Sequence, residues 1–151
     1  MKRHKNIESL TRSLKQIPSS MGEKAQAATS EACRLLRADI VQSISYKGTG
    51  RTYEKYRPRR THTASAPNEP PATDTGELKR GIGFTVKKVG TEGALGKVFS
   101  SAQHSQALEF GTKAMLALGG ARPFMQPALE RNRRKIFAIF RKAGVAGMEE
   151  R

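Results

Sequence analysis

Apolar residues in the first third of the chain follow a helical pattern. From about residue 20 to residue 45 they recur at steps of three and four, which predicts one long amphipathic helix. These positions are Ala25, Ala28, Ala32, Leu35, Leu36, Ile40 and Ile44. Ser20, followed three residues later by Glu23, is suited to cap its start. The many small residues indicate that this helix packs closely against another element.

A shorter apolar pattern precedes this helix. Ile7, Leu10 and Leu14 lie at helical spacing. Pro18 follows them, and a proline inside a helix removes a backbone hydrogen bond. The sequence therefore predicts a separate helical extension over residues 1–19, ending near Pro18.

The period changes from helical to alternating after Leu78. In "LKRGIGFTVKKV", Ile82, Phe84 and Val86 fall on one side of the chain, whereas Thr85 and Lys87 fall on the other. "GALGKVFS" supplies a second such segment after a glycine-containing turn near residues 90–93. We therefore expect two neighbouring antiparallel strands.

The last apolar pattern is again helical. It lies in "GGARPFMQPALERNRRKIFAIFRKAG", where Pro123 suits a first helical turn and Gly144 suits a C-terminal cap. The apolar stripe consists of Met125, Leu129, Ile136, Ile139 and Phe140. The opposite face carries Arg131, Arg134, Lys135, Arg141 and Lys142.

These patterns predict an α+β fold. We expect a long N-terminal helix and a C-terminal helix packed on a small antiparallel sheet, with a long extended loop between the first helix and the sheet. At 151 residues the chain is predicted to be a single domain over 1–151, with a flexible C-terminus at 144–151.

The segment between the first helix and the sheet has no clear periodicity. Residues 46–73, "YKGTGRTYEKYRPRRTHTASAPNEPPAT", are rich in Gly, Pro, Thr and Arg. Long segments of this kind inside compact domains are functional or disordered. Ordering each residue costs about 1–2 kcal/mol, and only three tyrosines offer much apolar area in return. We expect an extended assembly arm that is mobile alone and is ordered by a partner.

The chain is strongly basic. Its 28 Lys and Arg residues against 13 Asp and Glu residues give a net charge of +15. This excess favours a polyanionic neighbour, either nucleic acid or an acidic protein surface. Charge alone provides affinity without sequence information, so base-specific recognition does not follow from it.

Catalytic and cofactor signals are sparse in the sequence. His4, His62 and His104 are far apart, and the single cysteine, Cys33, lies inside a predicted helix as a small core residue. Asp74 and Glu77 resemble a capping or turn pair rather than an acid–base dyad. We expect no enzymatic activity, no cofactor and no bound metal. Because no run of about 20 apolar residues occurs, we also expect no membrane span.

Three short motifs, in order, resemble a family of head–tail joining proteins of long-tailed, lambdoid-type bacteriophages. They are "HTASAPNEPPATDTGEL", "ALEFGTK" and "ARPFMQPALE". The match covers about residues 20–143. One residue departs from the pattern, since Asn68 stands where a glycine is common, but Asn tolerates a left-handed backbone.

The resemblance carries over to individual residues. The turn motif corresponds to Asp74, Thr75, Gly76 and Leu78, the second motif to Glu109, Phe110, Gly111 and Thr112, and the third to Ala121, Arg122, Pro123, Phe124 and Pro127. Most of these residues are expected to hold the fold, with Phe110 and Phe124 as core anchors. Glu109 and Arg122 are expected to pair, either within a subunit or between neighbours.

The resemblance implies a structural virion protein of the phage neck. Such a protein would join a DNA-filled head to a tail as an oligomeric ring around the DNA channel, with six copies expected and twelve as the alternative. Its expected partners are a head connector or stopper and a tail terminator or tail tube protein. It would be found in the virion neck, and in the host cytoplasm during assembly. Within the arm, Arg51, Arg57, Arg59 and Arg60 are the predicted contacts to DNA or to acidic surfaces.

Two other functions remain open from the sequence. The chain could be a tail terminator of the same apparatus, which would also be a small basic ring subunit. It could instead be a cellular nucleic-acid-binding protein, which its charge supports but its few aromatic residues for base stacking do not.

Overall fold

The structure is a computed structural model that describes residues 3–57, 59–117 and 120–145, with side chains from residue 21 onward. Its helices are α1 (Arg3–Ser43), α2 (Glu77–Gly81), α3 (Ser105–Phe110), α4 (Lys113–Ala117) and α5 (Met125–Lys142). Its strands are β1 (Thr52–Tyr56), β2 (Arg59–Thr63), β3 (Ile82–Val89) and β4 (Gly93–Ser100). The predicted α+β class is confirmed, with a long helix at each end and small antiparallel sheets between them. Residues 146–151 of the predicted flexible C-terminus lie outside the described residues.

The first helix is longer than the sequence pattern predicts. It runs from Arg3 to Ser43, so Pro18 and Ser20 both lie inside it, and the predicted break and cap at these residues are wrong. A proline removes one backbone hydrogen bond and disfavours a helix locally, but it does not oblige the helix to end when the turns on both sides form.

Two hairpins form the sheets. β3 pairs with β4, as the alternating pattern predicts, and Ile82, Phe84 and Val86 are more buried than Thr85 and Lys87. The long connection between α1 and this sheet is present, but it carries a second hairpin that its lack of periodicity did not predict. There β1 pairs with β2 in antiparallel register, from Thr52 opposite Thr63 to Tyr56 opposite Arg59.

The chain folds into two compact units. The first comprises the described parts of Met1–Cys33, Thr85–Lys97 and Arg134–Arg151, and the second comprises those of Arg34–Phe84 and Val98–Arg133. The single domain predicted for 1–151 stays a prediction.

The first unit is built on small residues. Ala25, Ala28, Ala32 and Cys33 of α1 are buried. A Cβ atom added at Gly96 of β4 would lie only 2.5 Å from the Cys33 sulfur, so the strand backbone approaches the helix closely. This confirms the close packing that the alanines of α1 predict, and it confirms Cys33 as a small buried residue.

The C-terminus of α5 follows the predicted cap. Gly144 has a φ of 70°, its N–H donates to the carbonyl of Arg141, and the N–H of Val145 donates to the carbonyl of Phe140. This pair of bonds is a Schellman motif, which needs the left-handed backbone that glycine adopts without strain.

The second unit has an apolar core at the meeting point of two helices and a strand. The core consists of Ile40, Ile44, Ile82, Phe124 and Ala128, all at most 2% exposed. Ile44 directly follows α1, and its N–H still donates to the carbonyl of Ile40 at 3.1 Å, while Phe124 directly precedes α5. The predicted core role of Phe124 is confirmed.

Two predicted core positions are exposed instead. Phe110 is 69% exposed, and Leu129 of the apolar stripe is 46% exposed. The face of α5 that packs inward is set by Ala128 and Asn132, which are buried, because small side chains let the helix approach its neighbours closely. The Asn132 side chain satisfies its amide by donating to the carbonyl of Ala128 at 2.8 Å.

The burial of Phe124 gives a direct test of the core. We expect Phe124→Ala to lower the free energy of unfolding by about 3–5 kcal/mol, because the ring is 1% exposed and its removal leaves a cavity. Phe110→Ala is the matched control and should change it by less than about 0.5 kcal/mol. Denaturant unfolding measures both, and equal effects of the two substitutions would contradict the assignment of the core.

Candidate assembly surfaces and the residues that position them

The β1–β2 hairpin presents two chemically different faces. Its register places Tyr53 opposite His62 and Lys55 opposite Arg60, and alternation puts these four side chains on one face. The rings of Tyr53 and His62 meet edge to face, with centroids 5.4 Å apart. On the other face, Tyr56 is 78% exposed. On the first face Lys55, Arg60 and His62 are half-buried and Tyr53 is partly exposed, whereas the second face is open to solvent.

Asp74 holds the first face of the hairpin. Its carboxylate pairs with Lys55 and, at 2.6 Å, with Arg60, and the Nδ1 atom of His62 lies 3.8 Å away. Arg60 also donates to the backbone carbonyl of Asp74 at 3.2 Å. Asp74 is therefore an ion-pair centre. It lies in the turn before α2, as one of the two predicted alternatives has it, but among the described residues no side chain makes a capping hydrogen bond at the N-cap of that helix, so the predicted capping role is wrong.

The surroundings of Asp74 favour its charged form. The hydrogen bond from Lys55 is the largest cause that lowers the pKa of Asp74, and the charges of Arg60, Lys55 and His62 lower it further against a partial desolvation. The carboxylate is thus ionised at neutral pH, and its single negative charge is shared by two cations of the hairpin, Lys55 and Arg60.

A second carboxylate holds the base of the hairpin. Glu69 accepts hydrogen bonds from the Thr49 hydroxyl, from the Thr49 N–H at 3.2 Å and from the Ala66 N–H at 2.9 Å. The bond from the Thr49 hydroxyl is the largest cause that lowers the pKa of Glu69. Backbone bonds between residues 50 and 64 and between 64 and 51 extend the ladder beyond the two strands.

The turn that follows Asp74 joins the hairpin to the core. The Thr73 hydroxyl donates to the carbonyl of Ile44, at the end of α1. Gly76 has a φ of 77°, a conformation that favours glycine, and Arg80 donates to the carbonyls of Gly76 and Thr75. Leu78 then packs against the apolar core.

The Glu-Phe-Gly-Thr motif supplies the cap of α5. The Glu109 carboxylate accepts from the N–H groups of Phe124 at 2.9 Å, Met125 at 3.0 Å and Gln126 at 2.9 Å. These are first-turn donors that have no partner within the helix. A carboxylate at this end also interacts favourably with the helix dipole.

Arg122 connects the third motif to the loop before the turn. Its N–H donates to the carbonyl of Leu108 at 2.8 Å, and its Nε donates to the carbonyl of Ser65 at 3.2 Å. Next to it, the carbonyl of Ala121 accepts from the N–H of Asn68 at 3.1 Å. Within the described residues Arg122 and Glu109 thus have separate partners, and their predicted pairing inside one subunit is wrong.

Two positions of the motifs depend on a left-handed backbone. Gly111 has a φ of 77° and precedes α4, where the Thr112 hydroxyl accepts from the N–H of Met115 at 3.2 Å. Asn68 has a φ of 66°, which confirms that asparagine adopts the conformation expected of a glycine in this loop.

The arginines predicted to contact DNA or acidic surfaces are not equivalent. Arg51, Arg57 and Arg59 are exposed, although Arg59 lies 4.0 Å from Glu54. Arg60 is half-buried and bound to Asp74. The structure therefore leaves three of the four arginines accessible, and it gives the fourth a structural partner.

Exposed apolar side chains form a feature that the sequence patterns did not indicate. Phe110 and Leu129 lie beside a groove of about 430 Å³ that is also lined by Leu36, Val98 and Met125. Leu116 of α4 is 60% exposed. A helical pattern identifies the apolar face of a helix, but it does not predict which of its apolar side chains the neighbouring segments leave exposed to solvent.

A second cleft of about 430 Å³ brings together residues that the sequence separates. His62, Asp74, His104 and Arg122 are among its lining residues. No group of three or more metal-ligating side chains occurs among the described residues. The absence of enzymatic activity stays a prediction.

No helix in the described part of the chain is long and apolar enough to cross a membrane. Comparisons with protein-family models, with curated proteins and with solved structures found no match to this chain. The resemblance to head–tail joining proteins therefore depends on the three motifs alone.

The contacts of Glu109 predict a measurable loss of stability. We expect Glu109→Ala to lower the free energy of unfolding by about 1–2 kcal/mol, because three N–H groups at the start of α5 lose their acceptor. Glu130→Ala removes the same charge from an exposed position of α5 and should cost less than about 0.5 kcal/mol. Denaturant unfolding measures the free energy of unfolding of both variants. No change in Glu109→Ala would contradict the assigned role, because it would mean that water caps the helix equally well.

Proposed function

We propose that the chain is a structural protein of the neck of a long-tailed bacteriophage, where it joins the DNA-filled head to the tail. It acts as a ring of identical subunits around the DNA channel, with six copies and twelve as the alternative. Its neighbours are a head connector or stopper on one side and a tail terminator or tail tube protein on the other. It resides in the virion neck and assembles in the host cytoplasm.

One observation carries this proposal: the three motifs that resemble the family converge on the start of α5. Glu109 of the second motif caps the helix that the third motif opens. Arg122 of the third motif donates to the carbonyl of Ser65 within the first motif, and Leu78 of the first motif packs on the same core as Phe124. The three motifs therefore share one set of contacts in the second unit, as the motifs of a single family fold would.

The exposed parts of the chain also suit an assembly role. The hairpin ends in exposed Arg57 and Arg59 with Tyr56 beside them, and Phe110 and Leu116 are exposed apolar residues. Arginine and aromatic residues are enriched in protein interfaces. A ring uses contacts between two different surfaces of each subunit, so both kinds of surface would be covered after assembly.

The positive charge of the chain favours a position next to the DNA that passes through the neck. A net charge of +15 attracts phosphate groups without requiring base contacts. The same charge would suit a cellular protein that binds nucleic acid, which is the second candidate function. The two functions differ in whether loss of the chain disrupts a particle.

Deletion of the gene from its source phage, followed by electron microscopy of the particles, tests the proposal. We expect full heads that lie apart from tails of normal length, because the joining step fails after both parts are complete. Expression of the wild-type chain in trans is the control and should restore joined, infectious particles.

Two results would contradict the joining role. Intact infectious particles without the chain would remove it and favour the cellular nucleic-acid-binding function. Tails of irregular length would assign the chain to tail termination instead.

A further inference from the structure

The exposed surface of the second half of α5 is almost purely basic. Between residues 131 and 142, every exposed position except Ala138 carries a positive charge. The exposed basic residues are Arg131, Arg133, Arg134, Lys135, Arg141 and Lys142. The apolar residues of this stretch, among them Ile136 and Phe140, are half-buried.

Four of these cations form no ion pair with any residue that the structure describes. Arg131 pairs with Asp39 at 2.8 Å, so its charge is already balanced. Among the residues that the structure describes, no carboxylate lies within ion-pair distance of Arg134, Lys135, Arg141 or Lys142. We call these four residues the basic face of α5.

The basic face has a regular arrangement. At 100° per residue, 134 and 141 lie in one column of the helix surface and 135 and 142 lie in the next. Seven residues separate the two pairs, which is about 10.5 Å along the axis at about 1.5 Å per residue. This distance is comparable with the width of about 12 Å of the major groove of B-DNA, so the two pairs can reach phosphates on both strands.

The composition of the face favours nucleic acid over an acidic protein. The core of a protein interface is depleted in charged residues and holds apolar or aromatic side chains, whereas the exposed positions here offer only Ala138. Arginine presents a planar fork of donors that matches phosphate oxygens. A phosphate backbone is a continuous anion that can engage all four cations at once.

We propose that the basic face of α5 binds the phosphate backbone of double-stranded DNA without reading its sequence. This inference deepens the proposed function, since it names the surface that faces DNA in the neck. It also separates two roles: the basic face contacts DNA, whereas the hairpin arginines Arg51, Arg57 and Arg59 contact protein neighbours. Arg60 is bound to Asp74 and takes part in neither role.

Binding of purified full-length protein to a random-sequence 60-base-pair duplex, measured across a salt series, tests the inference. The test variant carries Arg134→Gln, Lys135→Gln, Arg141→Gln and Lys142→Gln. The matched control carries Lys24→Gln, Lys79→Gln, Lys88→Gln and Lys97→Gln, which removes the same charge from exposed positions on other elements. A hairpin variant with Arg51→Gln, Arg57→Gln and Arg59→Gln completes the set.

We expect the test variant alone to lose most of its affinity. Each phosphate contact contributes about 0.9 to the magnitude of the slope of log affinity against log salt, so loss of four contacts should make the slope of the test variant shallower by about 3.6 than that of the wild type. Between 50 and 200 mM salt, these four contacts account for an affinity change of about 150-fold in the wild type, which the test variant should lack. The control and hairpin variants should retain the wild-type slope within about one contact, and the wild type should bind unrelated duplex sequences equally.

Three results would overturn the inference. Equal losses in the test and control variants would show that net charge alone drives binding. A larger loss in the hairpin variant would place the DNA contacts on the hairpin. Binding to poly-L-glutamate but not to the duplex at the same salt would favour an acidic protein partner. Since purified protein is used, each result is independent of whether particles assemble in the deletion experiment.

Discussion

The start of α5 is the constraint on which the second unit depends. A helix leaves its first N–H groups without partners, and here the carboxylate of Glu109, fifteen residues before Phe124, accepts three of them. Once that cap forms, Phe124 is held in the core beside Ile40 and Ile44, and Arg122 is placed to bond Ser65. The residue that follows Glu109 in the chain, Phe110, is 69% exposed and takes no part in this core. The segment can thus hold α5 through Glu109 while the adjacent Phe110 stays accessible to a partner.

The hairpin is held by a different kind of interaction. Its contacts to the rest of the unit are mainly ion pairs and hydrogen bonds to Asp74 and Glu69, not buried apolar area. Exposed or half-exposed ion pairs contribute little net stability each and weaken with salt. An element anchored in this way can change partners at low cost, which suits the proposed role of an assembly arm. The core, by contrast, is stabilised by apolar side chains that are already buried within the chain, so it needs no partner.

The sequence predicts the regular elements better than it predicts their neighbours. The alternation around Ile82 identifies β3, and the glycine at 144 identifies the end of α5, because both depend on local chemistry. The hairpin at 52–63 escaped prediction because its Arg-Pro connection lacks the usual turn signal, although its Thr and Tyr residues favour strands. The ion pairs of Asp74 and the exposure of Phe110 were not predicted, for one reason: a partner or a covering segment far along the chain decides whether a carboxylate forms ion pairs and whether a ring is buried. The spacing of residues that are close in the sequence does not predict such distant contacts.

A reconstruction of the neck of the assembled particle by electron cryo-microscopy would locate this chain relative to DNA and to its protein neighbours. We expect a ring of copies of this chain in which residues 134–142 line the DNA channel, while the hairpin and Phe110 contact neighbouring protein. A neck without this chain would contradict the proposed function. A ring in which residues 134–142 point away from the channel would contradict the assignment of its DNA-facing surface.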